Sequence, residues 1–375
     1  MRVLLSVVGT RGDVQPVIAL ALEVRKLGHE VRLCVPPNFI EWVQGLGFAA
    51  TPVGIEMRAP RPGAATPPIP DLIADQFDSV GAAAEGCDVI LGANAHQYAA
   101  RSIAELHGIP YINAVYAPTA LPADDNTRAW NERALARVNA NRARLGLEPI
   151  QDVLRHIVTD RPWLAADPTL APAPSIPDLA IVQTGAWILE DPSPLPSDLE
   201  EFLAAGPPPV YFGFGSMPIA DAEGTSRTLI DAARAAGRRA IVSRGWADLE
   251  LIDEAPDCIA IGDVNQQALF PRVAAVVHHG GAGTTLAAAR AGAPQVVVPM
   301  FGDQPFWASR VRELGIGTSV PIAELTADRL ASALHDASDP AIAERAGSIA
   351  GRIVIDGAAV AALQICHVAG DQKTK

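Results

Sequence analysis

The stretch Val276-Val277-His278-His279-Gly280-Gly281-Ala282-Gly283-Thr284-Thr285-Leu286 runs from an apolar strand through a glycine-rich turn into a segment of helical composition. Without a Cβ, Gly280, Gly281 and Gly283 let backbone N–H groups come close to a ligand. The helix that starts there offers unpaired amides and the positive end of its dipole, a setting that favours phosphate. His278 and His279 add donors at the strand end, and Thr284 and Thr285 add hydroxyls in the first turn. The turn has neither the Gly-Lys-Ser/Thr of a P-loop nor the GxGxxG spacing of a dinucleotide fingerprint, which points away from a simple nucleoside triphosphate. A plain βα loop with a capping threonine is the other reading of the same residues.

Outward from this stretch, strand-like apolar runs alternate with helical segments. In the C-terminal half the strands fall at 210–214, 239–243, 258–261, 274–278, 295–298 and 317–320, and in the N-terminal half at 3–8, 30–35, 88–91 and 110–114. Helices are expected over 16–27 and 97–107, with a solvent-facing one over 124–145. Short apolar runs without polar alternation suit parallel strands buried on both faces, so the fold class is α/β with two Rossmann-like domains. Prolines at 192, 194, 196 and 207–209 mark a boundary. The expected division is 1–192, a linker over 193–208, a second domain over 209–355, and a tail over 356–375. The Pro/Ala-rich stretch at 58–68 is expected to be a surface loop.

A chain of 375 residues is longer than one hydrophobic core usually serves, and at 49% apolar residues it has ample material for two. The net charge of −13 argues against nucleic acid or an anionic membrane as partner. Four scattered cysteines form no CxxC pair, as expected of reduced thiols and not of a zinc site or disulfide frame. The opening apolar run stops at Gly9, too short for a signal sequence or a membrane span, so a cytoplasmic protein without stable membrane insertion is expected.

Further candidates sit at strand ends, where ligands bind in open α/β sheets. In Gly9-Thr10-Arg11-Gly12-Asp13-Val14-Gln15-Pro16 the proline suits a first helical turn, and Asp13 reads either as a general base for a hydroxyl or as a capping carboxylate. Phe212-Gly213-Phe214-Gly215-Ser216 repeats the strand-to-glycine pattern, with Ser216 as a phosphate donor or a helix cap. Asp303 and Gln304 offer acceptors and an amide suited to sugar hydroxyls, or ordinary capping. A nucleotide base fits near the backbone of Val264, Asn265 and Gln266, with Trp246 as an apolar wall or as a packing residue. Together these describe a nucleotide sugar.

At this point the chain resembles the GT-B nucleotide-sugar glycosyltransferases over nearly its whole length. The strings Thr159-Asp160-Arg161-Pro162-Trp163-Leu164-Ala165-Ala166-Asp167-Pro168, Gln183-Thr184-Gly185-Ala186-Trp187-Ile188-Leu189 and Ser243-Arg244-Gly245-Trp246-Ala247-Asp248 resemble the vancomycin-group glycopeptide enzymes. The segments 9–16 and 301–307 are more similar to sterol-type members. The resemblance implies an N-terminal acceptor domain facing a C-terminal donor domain across a cleft, a last helix crossing back to the first domain, and no metal or cofactor. It implies Asp13 as the base with Thr10 and Arg11 beside it. It also implies that His278, Ser216 and the Gly280, Gly281, Ala282, Gly283 and Thr284 turn hold the diphosphate, and that Asp303 and Gln304 bind the sugar. The expected reaction is inverting transfer of a hexose from a TDP- or UDP-sugar to a hydroxyl of a glycopeptide aglycone or related natural product. A sterol or lipid acceptor is one alternative, and a nucleotide-sugar 2-epimerase is another.

Overall fold

The computed structural model describes residues 1–57, 71–94 and 96–371. The proline-rich loop expected at 58–68 lies outside them. The chain divides into two compact units, one of residues 1–189 with 354–375 and the other of residues 190–353.

Among its described residues the first unit holds seven parallel strands: β1 Arg2–Val7, β2 Glu30–Val35, β3 Ala49–Pro52, β4 Val89–Ala93, β5 Tyr111–Val115, β6 Trp163–Leu164 and β7 Val182–Gln183. Their order is β3-β2-β1-β4-β5-β6-β7. The apolar run of β1 shows why both faces are covered. Val3, Leu5 and Val7 pack against Val17, Ile18 and Ala21 of helix Arg11–Lys26 and Ile365 of helix Gly357–Asp371, whereas Leu4 points into the opposite layer with Phe77, Val80 and Ile103. A strand whose alternate residues feed two helical layers must read as continuously apolar.

The second unit holds β8 Val210–Gly213, β9 Ala240–Ser243, β10 Cys258–Ile261, β11 Ala275–His278, β12 Gln295–Val297 and β13 Gly317–Ser319, all parallel, in the order β10-β9-β8-β11-β12-β13. Again the faces alternate. Phe212 and Val277 meet Leu229 and Leu330 in one layer, and Tyr211 and Val276 meet Leu199 and Phe270 in the other. The six strands expected from sequence are the six found. In the first unit, β3 has only Ala49 and Ala50 ahead of Thr51, and β6 and β7 are two residues each, too little to stand out.

Two segments differ from the reading of composition. Residues 193–208, rich in proline, contain the helix Ser197–Ala204, because Leu195, Leu199 and Leu203 recur at intervals of four and bury one face while the prolines only bracket it. Helix Asp124–Arg144 is not solvent-facing throughout. It buries Ala134 and Val138 in the core, and Arg142 donates to Ser102 Oγ and Glu105 Oε2 at 2.8 and 2.7 Å. Among the described residues no helix is long and apolar enough to cross a membrane.

In both sheets the order reverses beside the first strand, between β1 and β4 and between β8 and β11. Crossovers leave these switch points in opposite directions, which opens a crevice at the strands' carboxyl ends. The turns after β1, β8 and β11, with the first helical turns that follow them, carry most of the candidate residues.

Candidate active site

In the first unit, the chain leaves β1 through Gly9, whose φ of +148° and surroundings exclude any side chain: a Cβ there would lie 2.1 Å from Asp13 Oδ2. Thr10 is the N-cap of the following helix and Asp13 its third residue. Asp13 Oδ2 accepts the Thr10 N–H at 2.8 Å, with Thr10 Oγ1 at 3.4 Å, so the carboxylate folds back on its own helix start. This carboxylate-to-N-cap bond, one half of a capping box, begins the helix at Arg11, and Pro16 stands inside it, not in its first turn as its position in the sequence suggested. The cost is one intrahelical hydrogen bond, that to the Gly12 carbonyl. Asp13 Oδ1 accepts a hydrogen bond from Asn94 Nδ2, and Tyr116 Oη donates to the Asp13 carbonyl at 2.8 Å. Arg11 is exposed, with its guanidinium 5.5 Å from the Trp42 ring and its Nε 3.2 Å from Gln15 Oε1. Asn94, at the end of β4, is the residue sequence reasoning missed. Its position across the switch point from Gly9 was the available signal.

In the second unit, His278 ends β11 and is fully buried. Its Nδ1 accepts the Gly280 N–H at 3.1 Å and its Nε2 lies 2.9 Å from Gln295 Oε1, so the neutral ring carries its proton on Nε2. Both ring nitrogens are thus engaged inside the unit, and His278 holds the turn in shape. Gly280 has a φ of +92°, and a Cβ there would sit 2.8 Å from Val297 Cγ1. His279 is 9% exposed, lies against Gly215 and Gly281, and its Nδ1 has no hydrogen-bond partner among the described residues. It interlocks the turns after β8 and β11.

Helix Ala282–Arg290 starts from Gly281 with no side-chain cap. Thr285 turns inward, Oγ1 donating to the Gly281 carbonyl at 2.9 Å, while Gly283 is exposed and Thr284 half-buried. The amides of Ala282, Gly283 and Thr284 therefore have no partner within the helix and none from a capping side chain. Ser216, half-buried, follows the Gly215 turn, and the Trp246 N–H donates to the Gly215 carbonyl at 2.9 Å. These residues gather at the carboxyl ends of β8, β9 and β11.

Asp303 precedes helix Gln304–Glu313, and the Trp307 indole N–H donates to its Oδ2 at 2.8 Å. Burial raises its carboxyl above the ordinary value, and the Trp307 bond acts against that. Gln304 is only 3% exposed: Oε1 accepts the N–H groups of Met300 and Phe301 at 2.7 and 3.2 Å, and Nε2 lies 3.1 Å from Met217 Sδ. Its amide ties the loop after β12 to the turn after β8. Beyond β10, Val264 and Gln266 are half-buried, while Asn265 caps helix Gln266–Leu269 and donates to the Asp191 and Ser193 carbonyls at 2.8 and 2.7 Å. The candidate residues thus divide between the units: Thr10, Arg11 and Asp13 in the first, all the others in the second.

Burial lowers the pKa of His278 to about 3 and of His279 to about 4, against an ordinary 6.5. Because the folded values lie below the unfolded one, the unfolded chain binds more protons once pH drops below 6.5. Stability present at pH 7 is therefore lost as pH falls from 6.5 toward 4 for His279 and toward 3 for His278. At pH 5 each ring accounts for roughly 2 kcal/mol of that loss. The urea midpoint of the second unit should fall between pH 7 and 5, and fall less in His279→Gln. Equal slopes in the two proteins would contradict a buried neutral His279.

Comparison with known proteins agrees with this architecture. Residues 3–122 match the glycosyltransferase family 28 N-terminal domain, and residues 227–358 match the C-terminal domain of the erythromycin biosynthesis protein CIII-like family. The chain is 47% identical to the vancomycin aglycone glucosyltransferase of Amycolatopsis orientalis, covering 100% of this chain and 99% of the relative. It is 44% identical to the dTDP-epi-vancosaminyltransferase of the same organism, over 93% of each. Among solved structures, the glycosyltransferase VinC in complex with dTDP superposes with a TM-score of 0.74 at 22% identity, covering 99% of this chain and 100% of that one. Two Rossmann-like units with these switch points, joined to full-length identity of this order, make the chain a GT-B hexosyltransferase that belongs to the family of the vancomycin-group glycopeptide glycosyltransferases.

Proposed function

We propose that this hexosyltransferase takes a TDP- or UDP-hexose and transfers the sugar to a hydroxyl of a glycopeptide aglycone or related natural product, with inversion at the anomeric carbon. The observation that carries the reading is the start of helix Ala282–Arg290, uncapped by any side chain and opened by Gly283. Amides and a helix dipole aimed at one point stabilise the charge that grows on a departing diphosphate. Ser216 and Thr284 add hydroxyl donors at that point, and His278 acts by holding the turn. The sugar hydroxyls meet Asp303, beside which Gln304 holds the loop through its amide, and the nucleoside lies toward Val264, Gln266 and Trp246. Asp13 takes the proton of the acceptor hydroxyl as its oxygen bonds to the anomeric carbon and the bond to the diphosphate breaks, with Thr10 and Arg11 beside the carboxylate.

The names of the relatives favour this acceptor class, and that of the vancosaminyltransferase favours a TDP donor. The helix start compensates the diphosphate itself, so the reading requires no divalent ion and no cofactor. It extends to a cytoplasmic enzyme: Cys34, Cys87, Cys258 and Cys366 are all unpaired, as thiols are in a reducing compartment.

The test combines TDP-glucose or UDP-glucose with vancomycin aglycone, with and without EDTA. Mass spectrometry should find one added hexose, and proton NMR a configuration opposite to that of the donor. Conversion of donor in the absence of any acceptor would replace this reading with an epimerase, and turnover of sterols alone would replace its acceptor.

A further inference from the structure

Asn94 follows the last residue of β4 with a φ of +68°, in the left-handed region that a non-glycine residue enters at a cost and that asparagine tolerates best. Neighbouring groups hold it there. Its N–H donates to the Ala114 carbonyl at 2.7 Å, and its own carbonyl accepts from Asn113 Nδ2 at 3.4 Å. Asn113 is fully buried and donates as well to the Gly92 carbonyl at 3.2 Å. Strand β5 thus fixes the backbone of Asn94 so that its side chain reaches across the switch point to Asp13 Oδ1. Unusual backbone held by its surroundings in this way is concentrated at functional sites.

The carboxylate is then gripped at both oxygens, by the Thr10 N–H on one side and by Asn94 on the other. Only the N–H₂ end of the Asn94 amide is compatible with a carboxylate neighbour, which sets the orientation of that amide. Tyr116 and Arg11 also belong to the surroundings of Asp13. Tyr116, whose phenol is held well above its ordinary range by burial and by the Asp13 charge, stays neutral and donates to the Asp13 carbonyl. Arg11, the nearest cation in sequence, is turned onto Trp42 and Gln15.

We propose that Asn94 is a positioning residue for transfer: its amide fixes the plane of the Asp13 carboxylate, so that the base meets the acceptor hydroxyl in one orientation. This rests on the reading of Asp13 as the general base. Hydrogen bonding to the charged form of an acid favours that form, and a second carboxylate in its place disfavours it.

Asn94→Gly tests this without straining the fold, because glycine adopts the same backbone conformation and deletes only the amide. Expected is a kcat lowered roughly 10- to 100-fold, the scale of one hydrogen bond to a charged group, with donor KM unchanged. The acid limb of the pH–rate profile should move to higher pH, and further in Asn94→Asp. A kcat and profile equal to those of the parent enzyme would overturn the proposal. So would a loss of kcat with an unmoved profile, which marks Asn94 as a structural residue only. Asp13→Asn separates the two failures: full activity in it removes the base reading itself, whereas an inactive Asp13→Asn beside a wild-type Asn94→Gly removes only the role of Asn94.

Discussion

Asp13→Asn should lower kcat by roughly 10²–10⁴-fold, the range measured when a positioned general base is removed. The substitution keeps the size of the side chain and an oxygen able to accept the Thr10 N–H, so the helix start at Arg11 survives. Asp13→Ala lacks that cap and adds a stability loss of about 1 kcal/mol, which makes the asparagine variant the cleaner probe of chemistry. Every candidate donor residue lies in the second unit, and Asp13 lies in the first. The donor KM should therefore stay within a few-fold of the parent value while kcat and kcat/KM fall together, the signature of an interaction made in the transition state. Steady-state kinetics at saturating acceptor, with isothermal titration of the nucleoside diphosphate as a binding control, checks both halves. Retained turnover would leave the carboxylate with its capping role alone.

How much of this was legible in the sequence depends on how local each cause is. The six strands of the second unit, and the glycine turn at 280–283, follow from apolar runs and from residue types whose conformational needs are written in the chain. The capping role of Asp13 is one of the two readings the sequence allows, and the structure shows that bond: Thr10 and Asp13 are three residues apart, a spacing that sequence can test. Asn94 was not legible, because its partner is 81 residues away and the two meet only once β1 and β4 pair as Val7 with Ala93. His278 reads from sequence as a diphosphate donor and Gln304 as a sugar-binding amide, but sequence does not tell which way such a group turns. His278 faces Gln295, and Gln304 faces the backbone of its own loop. The leucines at 195, 199 and 203 did carry a helix signal, outweighed in the reading by the prolines around them.

Gly283→Asp should act in opposite directions on stability and on donor binding. Gly283 is the second residue of its helix, is exposed, and a Cβ added there meets nothing within 4 Å. Replacing a helical glycine removes a backbone-entropy cost of roughly 1 kcal/mol relative to alanine, and aspartate recovers part of it. A carboxylate in the first turn also gains about 0.3–1 kcal/mol from the helix dipole and the unpaired amides. The second unit should therefore unfold at a higher urea concentration. The same carboxylate takes the place proposed for the diphosphate and repels it. Like charges about 5 Å apart near a protein surface oppose each other by roughly 3 kcal/mol at an effective dielectric of 20, so the nucleoside diphosphate should bind about 100-fold more weakly. Gly283→Ala separates the terms: it carries the gain in helix propensity without the charge, and should bind the diphosphate within a few-fold of the parent. Chemical denaturation and calorimetric titration of TDP on the three proteins measure both effects. Tight TDP binding by the aspartate variant, with its helix stabilised as expected, would mean that the diphosphate lies elsewhere and that this turn serves the fold alone.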